Sequence, residues 1–515
     1  MSSTLSHAVE MVPAKNGSLV PKVDGIFLES RYDPEREAEK RAAAVELEGR
    51  RAVLLLGDGG YYLSRYLAAH FSGTIIVAEA CPELPEMVFS PEETALPSNV
   101  SIIATQSVTS IAAFSALLPE SATDLAVVEH PVCRRIFSEE YQRFSGLMME
   151  FLRRGVADLA TTGYFGRRWL FNILDNAAEG SPGLEELRAA GDWVIAVPGP
   201  TLDATLERIR RHRDSLHLCA VLPAVRQLEA AGIAPDVVCT MDGGLGNALH
   251  AAGLGCTAPL LAALYTHPGV ASCWRGPVHF VSLGLAVEER LFSQIPAMRE
   301  RPTVAGFALD AAVALGAERV FLAGQDFAAL HGRDHCRDYR FVQDARNALT
   351  RIDSLHKFRE YPQKLEGGWH SSEKFLLYAS GFMEQVRQSG SAVASLVGSP
   401  ALSDVAVCDA ACEFGTADAA RKAGRKTRLN RVWIAELDAA LDAALAALAS
   451  QQNTGEFAKK LLDNTVLMPI LELLRQVEIF ALQSSGTEQA AENLVKNLAE
   501  DLQCVKKKLE KALNT

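Results

Sequence analysis

Between Glu318 and Arg337 the chain reads ERVFLAGQDFAALHGRDHCR, and this stretch constrains the fold more than any other. Val320, Phe321, Leu322 and Ala323 form a short apolar run suited to a strand buried on both faces, as in a parallel sheet covered by helices. The run ends at once in Gly324, Gln325 and Asp326, with no intervening loop. Polar groups at the carboxyl end of such a strand stand where open α/β sheets place their ligands. His331 and His335 follow, and histidine suits acid–base work near neutral pH. The local sequence also permits a plainer reading, in which Asp326 caps the next element and both histidines are surface residues.

With 515 residues the chain exceeds one hydrophobic core, and two or three domains are expected. Its 48% hydrophobic and 22% charged residues are those of an ordinary globular protein. The formal net charge of −12 argues against nucleic-acid binding through general electrostatics. The amino terminus, MSSTLSHAVEMVPAKNG, lacks a basic stretch followed by an apolar core, so no signal peptide is expected. No apolar run approaches a membrane span. The ten cysteines are scattered, and the nearest pair, Cys408 and Cys412, lacks zinc-knuckle spacing, so buried thiols in a reducing compartment are expected. These features together predict a cytoplasmic protein.

Residues 1–18 read as a flexible terminus. From Leu19 the sequence suggests a strand or two, a turn at Asp33-Pro34 and a charged helix. A β-α-β pattern begins at Arg51: a buried strand Ala52–Leu56, the glycine turn Gly57-Asp58-Gly59-Gly60, a helix Tyr61–Phe71 and a strand Thr74–Ala78 ending at Glu79. Glycines after a first strand and an acid after the second suit a nucleotide or S-adenosylmethionine. Tyr62, however, stands where the dinucleotide fingerprint needs its third glycine, and a structural turn is the favoured reading. Strands Val100–Ala104 and Leu125–Glu129 complete the module. In TTGYFGRRWLFNILDNAAEG, Phe165, Trp169, Ile173 and Leu174 share a helical face, with Asn172 and Asn176 at other positions, and packing is the expected role.

A fresh α/β unit starts after Ser181-Pro182-Gly183. A strand Trp193–Val197 runs into the tight turn Pro198-Gly199-Pro200-Thr201-Leu202 and a helix Asp203–His212. Free N–H groups at that helix start would face a ligand phosphate, although Thr201 and Asp203 also suit plain N-caps. Strands Leu216–Leu222, Val237–Met241 (followed by Asp242), Pro259–Leu264 and Val278–Leu283 come next, and the helix Ala305–Leu315 leads into the opening stretch. Three strand ends therefore carry polar residues: Gly199–Asp203, Asp242 and Gln325–His335. After Ala401 the composition turns to Ala-rich helix. Ile434, Leu437, Leu441, Leu445 and Leu448 recur at helical spacing, as do Leu494, Leu498, Leu502, Val505 and Leu509, with another helix around Leu461–Leu482. The expected architecture is α/β, with two Rossmann-like doubly wound domains (19–180 and 181–405) followed by a C-terminal α-helical bundle (406–515).

The segments SRYDPEREAEK, LLGDGGYYLSRYL, FGRRWLFNILDN, GPTLD, GIAPDVVCTMD and LGAERVFLAGQDFA, in that order, resemble the motility accessory factor (Maf) family. That family shares its central domain with 6-hydroxymethylpterin diphosphokinases of the MptE type. The resemblance covers most of the chain. It implies a metal-independent glycosyltransferase, cytoplasmic and without a further cofactor, that moves a nonulosonic, sialic-acid-like sugar from a CMP-activated donor to Ser or Thr of flagellin. By the same resemblance His335 is the candidate base, with His331 second and Asp326 beside it. Gly199, Pro200, Thr201, Leu202, Asp242, Gly324 and Gln325 would hold the donor. His370 reads as a loop residue, and the helical bundle would engage flagellin. The chain departs from the family at Ala196-Val197-Pro198, at Val221-Leu222-Pro223, where a polar residue is usual, and at Gly243-Gly244, where proline is common. The apolar second strand end would weaken donor binding or mark a different donor. An MptE-type ATP-dependent diphosphokinase and a non-catalytic flagellin-binding relative are the alternatives.

Overall fold

The computed structural model of the protein describes residues 7–47, 50–89, 96–109, 113–114, 117, 125–177, 181–341, 361–409, 414–415, 426–450 and 454–514. Cys412 lies outside them. The chain divides into two compact units, one formed by residues 1–164 with 475–494 and the other by 165–474 with 495–515. The helix Ser138–Asn176 runs through the first of these boundaries, so no turn near residue 180 separates the units.

In the first unit, β1 (Val9–Pro13), β2 (Leu19–Val23) and β3 (Ile26–Phe27) form an antiparallel sheet. β1 lies within the stretch expected to be flexible. Its pairing with β2, Val12 opposite Val20, orders it. The helix Pro34–Ala42 follows, with Asp33 accepting from the Arg36 N–H as its N-cap. The second sheet is parallel: β4 (Ala52–Leu56), β5 (Thr74–Glu79), β6 (Val100–Ala104) and β7 (Leu125–Glu129), in the order β6-β5-β4-β7. β4 is buried along its whole length because it pairs on both sides.

The glycine turn after β4 is packed by the chain's own side chains. A Cβ on Gly57 would come within 2.8 Å of the Tyr141 hydroxyl, and one on Gly59 within 2.7 Å of Glu29 Oε1. Glu79, at the end of β5, accepts hydrogen bonds from the Tyr61 hydroxyl (3.1 Å) and the Cys81 N–H (3.0 Å). Asp58 accepts from the Ser64 N–H at 2.8 Å. Both groups that a ribose or phosphate would need thus have internal partners, although Asp58 Oδ1 is buried without one.

Burial pushes the Asp58 carboxyl up to about 6 and Glu79 up to about 7, from ordinary values of 3.8 and 4.5. In both, the folded chain holds the proton to higher pH than the unfolded chain does. Their contribution therefore favours folding at acid pH and declines as pH rises from the ordinary values through the folded ones. Glu79→Gln removes one of these contributions. Its urea midpoint should fall less than that of the wild type between about pH 5 and about pH 8.

The second unit is built on eight parallel strands: β8 (Gly191–Ala196), β9 (His217–Val221), β10 (Val237–Thr240), β11 (Leu260–Ala263), β12 (Val278–Val281), β14 (Ala317–Ala323), β18 (Ala392–Ser395) and β19 (Ala406–Val407). Their order is β12-β11-β10-β9-β8-β14-β18-β19. The chain winds outward from β8 to β12 on one side. It then returns through the helix Val304–Leu315 to lay β14 on the other side of β8. Thr303 caps that helix by accepting from the Gly306 N–H, and Gly316 ends it in the left-handed conformation (φ 113°). The winding direction reverses between β8 and β14, which makes their carboxyl ends the switch point of the sheet. Ala196 pairs with Ala323, so both strands leave the sheet at the same level.

Two small antiparallel pairings flank this sheet: β13 (Phe292–Gln294) with β20 (Arg428–Leu429), and β15 (Ala329–Leu330) with β17 (Trp369–Ser371) and β16 (Gln363–Lys364). The C-terminal helices are Arg431–Ala449, Thr454–Leu462, Met468–Ser485, Glu488–Val495 and Leu498–Asn514. Leu498, Leu502, Val505 and Leu509 are buried as their spacing predicts, and so are Ile434, Leu437 and Leu441, whereas Leu445 and Leu448 are only partly covered. The single helix expected around Leu461–Leu482 is two, because Asn464 accepts from the Val466 and Leu467 N–H groups and starts the chain afresh. Residues 475–494 cluster with the first unit and the other C-terminal helices with the second, so the C-terminal helices are shared between the units. Among the described residues no helix is long and apolar enough to cross a membrane.

Candidate active site

At the switch point the two strand-end turns touch. The Val197 N–H donates to the Ala323 carbonyl at 2.8 Å, and the Gly199 N–H to the Gly324 carbonyl at 2.9 Å. This approach leaves no room for side chains. A Cβ on Gly199 would lie 2.3 Å from the Gly324 oxygen, and one on Gly324, whose φ is +77°, would lie 2.1 Å from the Val197 oxygen.

Asp326 locks the contact. One carboxylate oxygen accepts from the Thr201 N–H at 2.9 Å and the other from the Thr201 hydroxyl at 2.6 Å. Its carbonyl accepts from the Ser399 hydroxyl at 2.6 Å. The carboxyl is 3% exposed and sits at the start of the helix Leu202–Arg211, where the helix dipole favours an anion. Burial nonetheless pushes it up to about 6, against the lowering by the two Thr201 hydrogen bonds. The N–H groups expected to face a ligand phosphate have other uses. Gly199 donates to Gly324, Thr201 to Asp326 and Leu202 to the Gly199 carbonyl. Asp326 occupies the anion position that the turn was expected to offer, and Pro200 has no N–H to give.

The neighbouring Gln325 is 4% exposed, and its side-chain oxygen has no hydrogen-bond partner. Asp242, after β10, is exposed; its Oδ1 accepts from the Gly244 N–H at 2.7 Å. Of the two strand ends between them, β8 and β9, that of β9 is apolar and closed, with Val221 and Leu222 fully buried.

The segment 331–341 is pinned along these carboxyl ends. The Cys336 N–H donates to the Pro198 carbonyl at 2.8 Å, and the Arg337 N–H to Asp203 at 3.2 Å. The Asp338 N–H donates to the Gln227 side chain at 2.7 Å, and the Arg340 guanidinium to the Leu249 carbonyl at 2.6 Å. Arg333 forms an ion pair with Asp203. His335 is carried on this segment, half-buried, with its Nδ1 enclosed. His331 is exposed and has left-handed backbone (φ 49°), and its N–H donates to the Gly368 carbonyl at 3.3 Å. His370 lies in β17, opposite Ala329, and is a strand residue where a loop was expected.

The helix Ser138–Asn176 supplies a feature beyond the packing that the sequence favoured for it over lining a cleft with its polar edge. The Asn172 amide donates to the Gly243 and Tyr265 carbonyls (3.0 and 2.9 Å), and the Asn176 amide to the Leu264 and Thr266 carbonyls (2.8 and 2.7 Å). Both asparagines thereby hold the loops after β10 and β11. Their spacing of four residues, which places them on one helix face, was the signal for it. The partnership of Thr201 and Ser399 with Asp326 had no such signal. One cavity of about 560 Å³, lined by Arg213, Asp214, His217 and Asp236 among others, lies at the amino ends of β9 and β10, away from these strand ends.

Thr201→Val removes the hydroxyl donor and leaves a buried carboxylate oxygen without a partner. Unfolding free energy at neutral pH should drop by about 1–3 kcal/mol, read from urea melts. An unchanged midpoint would rule out this role for the contact.

Residues 170–332 match the family model described as 6-hydroxymethylpterin diphosphokinase MptE-like. A curated "Uncharacterized protein" of Treponema pallidum (strain Nichols) is 27% identical over 112 residues, which are 21% of this chain and 53% of that protein. The chain thus spans about half the length of this relative. The solved structure of a Maf glycosyltransferase from Magnetospirillum magneticum AMB-1 superposes with a TM-score of 0.54 at 15% identity, covering 98% of this chain and 90% of that one. The chain therefore contains an MptE-like domain, set within the fold of a Maf glycosyltransferase.

Proposed function

We propose that the protein is a glycosyltransferase that moves a nonulosonic sugar from a CMP-activated donor to Ser or Thr of flagellin, supporting flagellar assembly. The observation that carries this reading is the switch point of the second sheet, at the carboxyl ends of β8 and β14. There Gln325, whose buried side-chain oxygen has no hydrogen-bond partner, and the pinned segment bearing His335 stand beside the β8 and β14 ends. The Maf-like fold supports it.

In this reading the bond between the anomeric carbon and the CMP phosphate oxygen breaks, and CMP leaves with the electron pair. The acceptor hydroxyl oxygen bonds to that carbon, and its proton passes to His335. Gln325 offers a hydrogen-bond acceptor to the donor, and Asp242 adds an exposed carboxylate three strands away, after β10. Asp326 acts by holding the Gly199–Leu202 turn through Thr201 rather than by touching the donor.

Incubation with a CMP-nonulosonate and flagellin should raise the flagellin mass by one sugar. His335→Ala should slow transfer by about 10²–10⁴-fold. A wild-type protein that neither transfers nor hydrolyses a CMP-sugar, or a His335→Ala variant at full rate, would count against the assignment. The match of residues 170–332 favours a second reading, an ATP-dependent diphosphokinase acting on 6-hydroxymethylpterin. Release of AMP from ATP only when the pterin is present would establish it. The buried apolar end of β9 favours a third, a non-catalytic flagellin-binding relative. That reading requires the absence of CMP binding in calorimetry.

A further inference from the structure

The segment that carries His335 also carries an aromatic arrangement for which the reaction outlined above has no use. The Tyr339 ring stacks on the His335 imidazole, with centroids 3.8 Å apart and planes at 14°. On its other neighbours Tyr339 meets His250 at 5.0 Å and Phe341 at 5.9 Å, and His250 meets Phe341 edge-on at 4.6 Å. The stack is anchored from two elements, because His250 belongs to the helix Leu245–Ala251 after β10.

The imidazole edge is equally constrained. His335 Nδ1 lies 3.1 Å from Asp334 Oδ1, yet the alignment falls short of a hydrogen bond and Nδ1 is buried. Asp334 is itself held, since its Oδ2 accepts from the Tyr361 hydroxyl at 3.1 Å. The His335 side chain remains 27% exposed. With Nδ1 enclosed beside a carboxylate, Nε2 is the nitrogen left to take a proton from outside. The groups facing His250 are His335, Arg340, Arg226 and Asp242; burial first, and then His335, Arg340 and Arg226, push it down to about 4. His250 therefore stays neutral at physiological pH and places no second positive charge beside a protonated His335.

We propose that Tyr339 is a positioning residue for His335. Its ring clamps the imidazole face so that Nδ1 stays against Asp334 and Nε2 is presented to the acceptor hydroxyl. This rests on the reading of His335 as the base. A face-to-face stack restricts tilt of the imidazole plane, which the carboxylate contact alone would leave open to rotation. The tyrosine hydroxyl has no part in the clamp, so phenylalanine should replace it.

Tyr339→Leu and Tyr339→Phe test this. Leucine should lower kcat by about tenfold or more with KM changed by less than about twofold, since misplacing a reacting group affects the chemical step. It should also speed carbethoxylation of His335 by diethyl pyrocarbonate, followed by peptide mass mapping, by about threefold or more. Phenylalanine should keep both values near those of the wild type. If leucine lowers the melting temperature, Tyr339→Met, which keeps the volume without an aromatic face, takes its place with the same readouts. Wild-type kcat and carbethoxylation rate in the leucine or methionine variant would overturn the clamp. A phenylalanine variant as impaired as the leucine one would overturn it as well, by putting the hydroxyl on the substrate. Carbethoxylation needs no sugar donor, so it decides the clamp even if the wild type proves to have no transferase activity, a result that would sink only the functional reading.

Discussion

Two carboxylate oxygens of Asp326 meet one threonine, and the geometry of the second unit's strand ends depends on that meeting. β8 and β14 are neighbours with Ala196 opposite Ala323, so their following turns must leave the sheet at the same height and in van der Waals contact. Two glycines make the approach sterically open, and a buried anion at a helix start makes it favourable. Once the turns are joined, the Pro198 carbonyl and the Asp203 carboxylate stand where segment 331–341 can be fastened. His335 is placed by that fastening.

The two parallel sheets reach opposite ends from a similar plan. Each begins with a strand that ends in a glycine-containing turn and is flanked on both sides by parallel neighbours. In the first unit the turn is filled from within by Glu29, Cys133 and Tyr141, and the acid at the end of β5 is bound by Tyr61. In the second unit the turn after β8 is closed by Gly324 and Asp326, and buried atoms without a hydrogen-bond partner lie at Gln325 and His335, as they do at Glu29 and Asp58 in the first. The glycine pattern alone does not separate the two cases. What separates them is which distant side chains pack onto each turn.

A transferase acting on a hydroxyl needs a base in a fixed orientation and a crevice that holds the donor against it. Under the proposed function, pinned segments rather than one rigid strand would meet both requirements. Asn172 and Asn176 hold the loops after β10 and β11 through four backbone carbonyls. The stack of His335 on Tyr339, whose ring also meets His250, joins segment 331–341 to the helix after β10. The apolar β9 end, Val221 and Leu222, contributes shape without hydrogen bonds.

Much of this was legible in the chain. Strands read as apolar runs, and Ala52–Leu56, Val100–Ala104 and Leu125–Glu129 have the bounds their residues predict, although only the first is buried throughout. The polar residues after β8, β10 and β14 were visible as well. Pairing between distant strands is less visible, and so β1 looked like flexible sequence until β2 was laid beside it. By itself the sequence determined the α/β class, the positions of the strands and the residue types at their ends, since these follow from local periodicity and turn chemistry. Only the tertiary structure decided that the Gly199–Leu202 N–H groups are spent inside the protein and that Asp326 belongs to Thr201. It also decided that Tyr339 faces His335. These are contacts between groups far apart in the chain or brought face to face by a fold in it, and hydrogen-bond partners chosen in space leave no periodic trace in sequence.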